Sequence, residues 1–365
     1  MGEGRDAPLT RRQLGALLWG ACVSAVLRRI PGSLLPAAGG GAWLSAALCV
    51  PAAGAMGLLL GRFLEKRAPG EGLGELLCRT AGGGLGRVLA GMYGAWFIFY
   101  GGYVLRAGAE RFTAAVYPES GAWVFMGVTA LLALLAGRGR VKTLGRCAQI
   151  IAALLLGVFA LVLAFSLPLW EVVNLRPGPA GGGGVLRGAV PMMSVLAVGA
   201  YPAFLVGKTE SGSLVPAFAP PLCGLAALGT ALSLAAVGVF GAGLAERMNY
   251  PFFVMIRSVK VFDLLERMEA LAAAQWAAAD FLLLGMLLHL TAGCFSLALR
   301  GPGHTPGRLW APLGTAGMLL CAAACPSGSF ALRALARRVV DPGNTVAVFG
   351  ILPAAWAVGK LRKKI

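Results

Sequence analysis

Two arginines and a Pro-Gly step sit inside the first apolar segment of this chain, at Val26-Leu27-Arg28-Arg29-Ile30-Pro31-Gly32-Ser33-Leu34-Leu35-Pro36, where the segment runs from Leu14 to Ala38. If that segment crosses a membrane, its helix is broken there. Proline lacks a backbone N–H and clashes with the preceding turn, and the stretch on either side is shorter than the roughly 20 residues a spanning helix needs. Irregular backbone and cationic side chains at that depth survive only against protein or a water-filled cavity, because lipid offers no hydrogen-bond partner. The break must therefore be enclosed by other helices, and it marks a candidate binding cavity.

Enough other helices are available. The 365 residues are 58% hydrophobic and 13% charged, too little polar residue to coat a soluble globule of this size. The expectation is an all-α, polytopic membrane protein. A net charge of +17 raises the question of nucleic acid, but the basic residues lie in short connections between apolar runs rather than on one face or tail, so membrane topology explains them and nucleic acid is excluded as a partner. Met1 to Thr10 carries Glu3 and Asp6 and no small-residue cleavage site follows, so the first helix is expected to be retained. The eight cysteines form no CxxC pair and read as small core residues.

Ten spans are expected: Leu14–Ala38, Trp43–Gly61, Val88–Val116, Ala122–Ala136 and Cys147–Leu169, then Val185–Gly207, Pro216–Gly241, Ala270–Leu299, Leu309–Cys325 and Thr345–Gly359. Arg62 to Gly86 is expected to be a polar loop, Trp170 to Gly184 an unstructured linker between the halves, and Arg333, Arg337 and Arg338 a loop before the last span. The connections on the side of the termini hold about twice the Lys and Arg of the opposite ones, which places both termini in the cytoplasm.

Gly199-Ala200-Tyr201-Pro202 interrupts the sixth span as Arg28 to Gly32 interrupts the first. Paired interruptions in two five-helix halves, residues 1–170 and 185–365, point to an inverted-repeat transporter fold with a ligand near the midplane between the broken helices. Unwinding frees N–H groups near Ile30, Pro31, Gly32 and Ser33, and Arg28 and Arg29 attract a carboxylate. The break at Gly199, Ala200, Tyr201 and Pro202 supplies carbonyls for an ammonium group. The competing reading is that the arginines snorkel or pair with acids on neighbouring helices.

Trp96, Tyr100 and Tyr103 share one face of the third span, and Tyr100 and Tyr103 are candidate pocket residues; Arg106 and Glu110, one turn apart, read as a structural ion pair. Asp280 is a candidate proton or ion relay, or else a carboxylate neutralised by an arginine, and His289 reads as a satisfied core histidine. Residues 242–269 mix charges with an apolar stripe and read as an amphipathic extracytoplasmic loop. No metal-ligand cluster, phosphate-cradling loop or nucleophile triad is present in the sequence, so neither enzymatic chemistry nor a cofactor is expected.

Tyr250, Pro251, Arg257, Arg267, Glu269, Ala270, Leu271 and Trp276 follow one another as in the B subunit of spore germinant receptors, which this chain resembles. Ala42-Trp43-Leu44-Ser45, Leu105-Arg106 with Glu110, Gly139 and Arg146, and Asn174-Leu175-Arg176-Pro177 extend the resemblance nearly end to end. It implies membership of the amino acid, polyamine and organocation transporter superfamily, with its LeuT-like five-plus-five inverted repeat. It further implies a receptor in the spore inner membrane that senses a small germinant, such as an amino acid, beside A and C subunits. A proton-coupled amino acid transporter is the alternative. Relatives often carry a Gly-rich turn where this chain has Arg28 and Arg29, so those two residues depart from the common pattern.

Overall fold

The computed structural model describes residues 8–115, 119–177, 181–258, 268–304 and 306–361. Helix α1, Arg11–Arg29, starts at a capping box in which Gln13 N–H donates to Thr10 Oγ1 and Thr10 N–H donates to Gln13 Oε1, both at 3.1 Å. Two orphan donors are thereby satisfied. The helix stops where Pro31 dictates, since the residue before a proline is held extended and Ile30 adopts φ −102° and ψ 137°. The Ile30–Pro31 peptide is cis, and Ser33 N–H and Leu34 N–H close the turn onto the carbonyls of Arg29 and Pro31. α2, Leu35–Ala38, follows. α1 is thus continuous over 19 residues, roughly 28 Å at the helical rise. The interruption expected inside a Leu14–Ala38 span lies at the end of a helix that begins earlier, at Arg11.

The remaining helices are α3 (Ala42–Glu65), α4 (Leu73–Ala81), α5 (Gly83–Ala115), α6 (Ala122–Arg138), α7 (Val141–Ser166) and α8 (Gly181–Ala197). A 3₁₀ segment, Val198–Lys208, then leads to α9 (Val215–Arg247), α10 (Pro251–Ser258), α11 (Met268–Arg300) and α12 (Trp310–Ala324). The last stretch combines α13 (Ser329–Leu335), a π segment (Ala336–Val340), α14 (Asp341–Thr345), a second π segment (Val346–Gly350) and α15 (Ile351–Leu361). There is no strand among the described residues; a single parallel bridge joins Leu9 to Thr209.

Among the described residues seven helical stretches are long and apolar enough to cross a membrane, and α6 and α12 are shorter apolar helices. The protein is an all-α integral membrane protein. α1 packs against α7, α9 and α11, α3 lies along α9, and α5 lies along α11 and α12. The α3–α9 contact is close because Gly57 has no side chain: a Cβ there would stand 2.5 Å from the Ala219 Cα. Trp43 Nε1 donates to the Leu175 carbonyl at 3.1 Å and Ser45 Oγ to the Val185 carbonyl at 2.8 Å, so two of the motifs that carry the resemblance meet at the start of α3.

Several connections differ from expectation. The polar loop Arg62–Gly86 contains α4, whose Leu73, Leu76 and Leu77 are buried. The linker Trp170–Gly184 holds a 3₁₀ turn, Val172–Leu175, and the start of α8. The last span begins at Ser329 rather than Thr345, which brings Arg333, Arg337 and Arg338 onto the helical stretch. Its π turns carry the helix through Pro342, where a regular α-helix would lose a bond. In the region 242–269, α9 kinks at Gly241 (φ 68°) and reaches Arg247, and α10 follows; residues 259–267 lie outside the described residues.

Candidate functional site

Two buried polar clusters meet the C-terminal half of α1, and a third lies between α5, the 3₁₀ segment and α14. In the first, Asp280 of α11 receives Arg111 Nη2 at 2.6 Å, Arg28 Nη1 at 3.3 Å and a hydrogen bond from Ser24 Oγ, which also accepts from Arg28 Nη1 at 3.0 Å. Arg111 is fully buried, its guanidinium 5.1 Å from the Trp276 ring centroid. Gly108 makes room for this approach, since a Cβ there would meet Asp280 Oδ2 at 2.8 Å. One carboxylate therefore serves two guanidiniums, and the cluster carries an excess positive charge. In a low-dielectric interior such an excess calls for water or an anion.

The second cluster pairs Arg29 with Asp341 of α14, which also accepts from Ser194 Oγ of α8 at 3.3 Å. The third is uncharged: Tyr201 OH donates to Asn344 Oδ1 at 2.6 Å, and Trp96 Nε1 donates to Tyr201 OH at 2.9 Å. α14 supplies both Asp341 and Asn344, and the π segments on either side set the register that turns both residues toward the core.

A cavity of ≈ 230 Å³ opens beside the first two clusters, lined by Arg28, Arg29, Ile30, Gly32 and Ser33 on one wall and by Tyr250, Pro251 and Trp276 on another. Arg333 and Arg337 are also among its lining residues. Burial pushes the Tyr250 phenol up to about 12, so it faces the cavity as a neutral hydroxyl. Nε and Nη2 of Arg28, Nε of Arg29 and Oγ of Ser33 are buried without a hydrogen-bond partner among the described residues. Those donors are what a ligand would satisfy. A second, larger cavity of ≈ 660 Å³ lies between α4, the 3₁₀ segment and α11. Its acids are already engaged: Glu71 Oε2 accepts Ala68 N–H at 2.8 Å and faces Arg79, and Glu75 Oε2 accepts Gly72 N–H at 3.0 Å.

The expected site residues divide between wall and backing. Arg28, Arg29, Ile30, Gly32 and Ser33 are cavity wall, with Pro31 shaping the turn they sit on. Tyr100 and Tyr103 do not line the cavity. Tyr103 lies under the Arg28 guanidinium at 5.7 Å and stacks on Tyr100, which meets Tyr201 edge-on. Gly199, Ala200, Tyr201 and Pro202 are all buried within the 3₁₀ segment, and Gly199 faces Leu222 and Leu18. Asp280 is held by two arginines, the neutralised-carboxylate reading. Arg106 and Glu110 form their ion pair at 2.8 Å, and His289 Nε2 meets the Ala136 carbonyl at 3.2 Å.

Sequence reasoning missed Ser24, Arg111, Asp341 and Asn344, and it put Arg333 and Arg337 in a loop. The signal available for the last pair was their spacing of four residues immediately before an apolar run.

A family model described as spore germination protein matches residues 9–297. No curated protein matches the sequence. Among solved structures, the chain is similar to MhsT in complex with L-phenylalanine (17% identity, TM-score 0.60, covering 98% of this chain and 90% of the other). It is also similar to a substrate-bound, outward-open Na⁺-coupled sialic acid symporter (13%, 0.53, 95% and 80%). A third is the Eremococcus coleocola manganese transporter bound to an aromatic bis-isothiourea compound (15%, 0.56, 95% and 78%). At these identities the likeness is one of fold, and the fold is that of LeuT-like transporters.

Proposed function

The chain belongs to the spore germination protein family, and from that premise we propose that it is the membrane subunit of a nutrient germinant receptor, binding a small nutrient such as an amino acid and triggering germination. The observation that carries the reading is the pair of buried, half-satisfied arginines on the wall of a cavity inside a transporter fold. Arg28, Arg29, Ile30, Gly32 and Ser33 contact the ligand, with Pro31 holding their turn in place. Tyr103, Tyr100 and Tyr201 back the site and connect it to the 3₁₀ segment Gly199–Pro202. Ligand occupancy then biases the position of that segment, and A and C subunits read the change from the spore inner membrane, with both termini of this chain in the cytoplasm. Residues 1–170 and 185–365 form the two repeats that move against one another.

Signalling requires only unequal binding to two conformations. A tenfold preference shifts the balance by about 1.4 kcal/mol, and no transport need follow. Asp280 serves in this account as the anchor that fixes Arg28 and Arg111. Transport coupled through Asp280 would instead require the carboxylate to leave both guanidiniums during the cycle. Spores carrying Arg28→Gln or Ser33→Trp, with the protein at wild-type abundance, are expected to lose the nutrient response. A persisting response would contradict the assignment. Saturable, pH-gradient-dependent uptake of a labelled amino acid in proteoliposomes, abolished by Asp280→Asn, would replace sensing by transport.

A further inference from the structure

The cavity at the end of α1 has a charge pattern more specific than a general amino acid site requires. At its deep end, Arg28 and Arg29 have side chains only 4% and 6% exposed. Asp280 occupies Nη1 of Arg28 and Asp341 occupies Nη2 of Arg29, leaving Nε and Nη2 of the first and Nε of the second free among the described residues. At the other end, Arg333 and Arg337 stand one turn apart on the last helical stretch. Arg333 is half-buried and donates to Asn249 Oδ1, while Arg337 is exposed. Among the described residues Glu246, at the exposed end of α9, is the acid that lines the cavity.

Resting on the reading of this cavity as the ligand site, we propose that its ligand is a small dicarboxylate, the size of an acidic amino acid. One carboxylate meets the unfilled guanidinium donors of Arg28 and Arg29 and the Ser33 hydroxyl. The second meets Arg333 and Arg337. Guanidinium forks match carboxylate geometry, and each such charge-assisted bond is stronger than a neutral one. A monocarboxylate satisfies the deep end and leaves the outer pair facing an empty, apolar-walled space of Phe252, Phe253 and Phe330. An α-ammonium group, where the ligand has one, is placed near Glu246 and the Tyr250 hydroxyl. The volume of ≈ 230 Å³ accommodates a molecule of this size.

The test is calorimetric titration of the purified full chain in nanodiscs with L-glutamate, L-aspartate, succinate, L-glutamine, L-alanine and inorganic phosphate. Dicarboxylates are expected to bind about tenfold or more tighter than L-glutamine, the value of one charge-assisted contact. Arg337→Gln, which alters an exposed residue and leaves the fold intact, and Arg333→Gln are each expected to weaken the dicarboxylates by about tenfold while leaving L-alanine unchanged. An unaltered thermal midpoint without ligand verifies folding of each variant. If L-glutamine or L-alanine binds as tightly as L-glutamate and neither outer variant matters, the dicarboxylate assignment is wrong while the ligand cavity stands. If phosphate binds in an Arg337-dependent way and the dicarboxylates do not, the assignment is overturned in favour of a phosphate. If every probe fails on folded protein, both the assignment and the cavity reading fall.

Discussion

The turn after α1 and the 3₁₀ segment after α8 look alike in the sequence, each a proline-marked interruption of an apolar run, yet they are in different physical states. In the turn from Arg28 to Ser33 the two arginines are charged, they and Ser33 are incompletely bonded, and all three line a cavity. At Gly199 to Pro202 every residue is buried, and Tyr201 satisfies its hydroxyl against Asn344 and Trp96. A backbone interruption alone therefore does not make a binding surface; unmet donors beside a void do. The neutral, fully packed segment is suited to report a change, and the charged, unsatisfied one is suited to receive a ligand. An eleven-residue 3₁₀ run fits that division, since this helix type is seldom sustained and such stretches often mark hinges.

Removing what stabilises each segment separates the roles of the two. Asp280→Ala leaves Arg28 and Arg111 buried without a counter-charge, and the expected cost is about 3–5 kcal/mol, read as a lower thermal midpoint of the purified protein. A near-neutral outcome would mean that the excess charge is solvated and the cluster exerts no demand for an anion. Tyr201→Phe removes two hydrogen bonds in the neutral cluster and is expected to cost about 1–3 kcal/mol, with ligand affinity in the titration within twofold of wild type. A large loss of affinity would place Tyr201 on the ligand itself and erase the distinction between wall and backing. Glu110→Gln breaks the i,i+4 pair with Arg106, away from the cavity, and is expected to cost about half a kcal/mol with no effect on binding.

Much of this architecture was legible because membrane helices leave strong local signals. Pro31 ends α1 by restricting Ile30, Gly241 with φ 68° kinks α9 where the seventh apolar run was expected to finish, and the Arg106–Glu110 spacing announces its ion pair. Hydropathy alone starts α1 three residues late, at Leu14, because Arg11, Arg12 and Gln13 are polar, whereas the Thr10 and Gln13 capping box marks the true start. The partners of the arginines were not legible. Asp280 and Asp341 stand 252 and 312 residues from Arg28 and Arg29, and only the packing of α1 against α11, with α14 beside α8, brings them into reach. Arg333 and Arg337 read as loop charges because a regular helix does not pass through Asp341-Pro342-Gly343. The π segments allow the last helical stretch to do so, and nothing local in the sequence signals them.

The central claim, that the ligand sits against the turn after α1, is tested most directly by filling the cavity. Ser33 lines it and its hydroxyl has no partner among the described residues, so Ser33→Trp occupies the space without removing a charge. Thermal unfolding of the purified wild type should be raised by at least one member of a panel of common L-amino acids, by about 2.7 kcal/mol at a hundredfold excess over Kd. The same compound should leave Ser33→Trp unmoved while Tyr201→Phe keeps the full shift. A stabilised Ser33→Trp, or a Tyr201→Phe protein that no longer responds, would contradict the account.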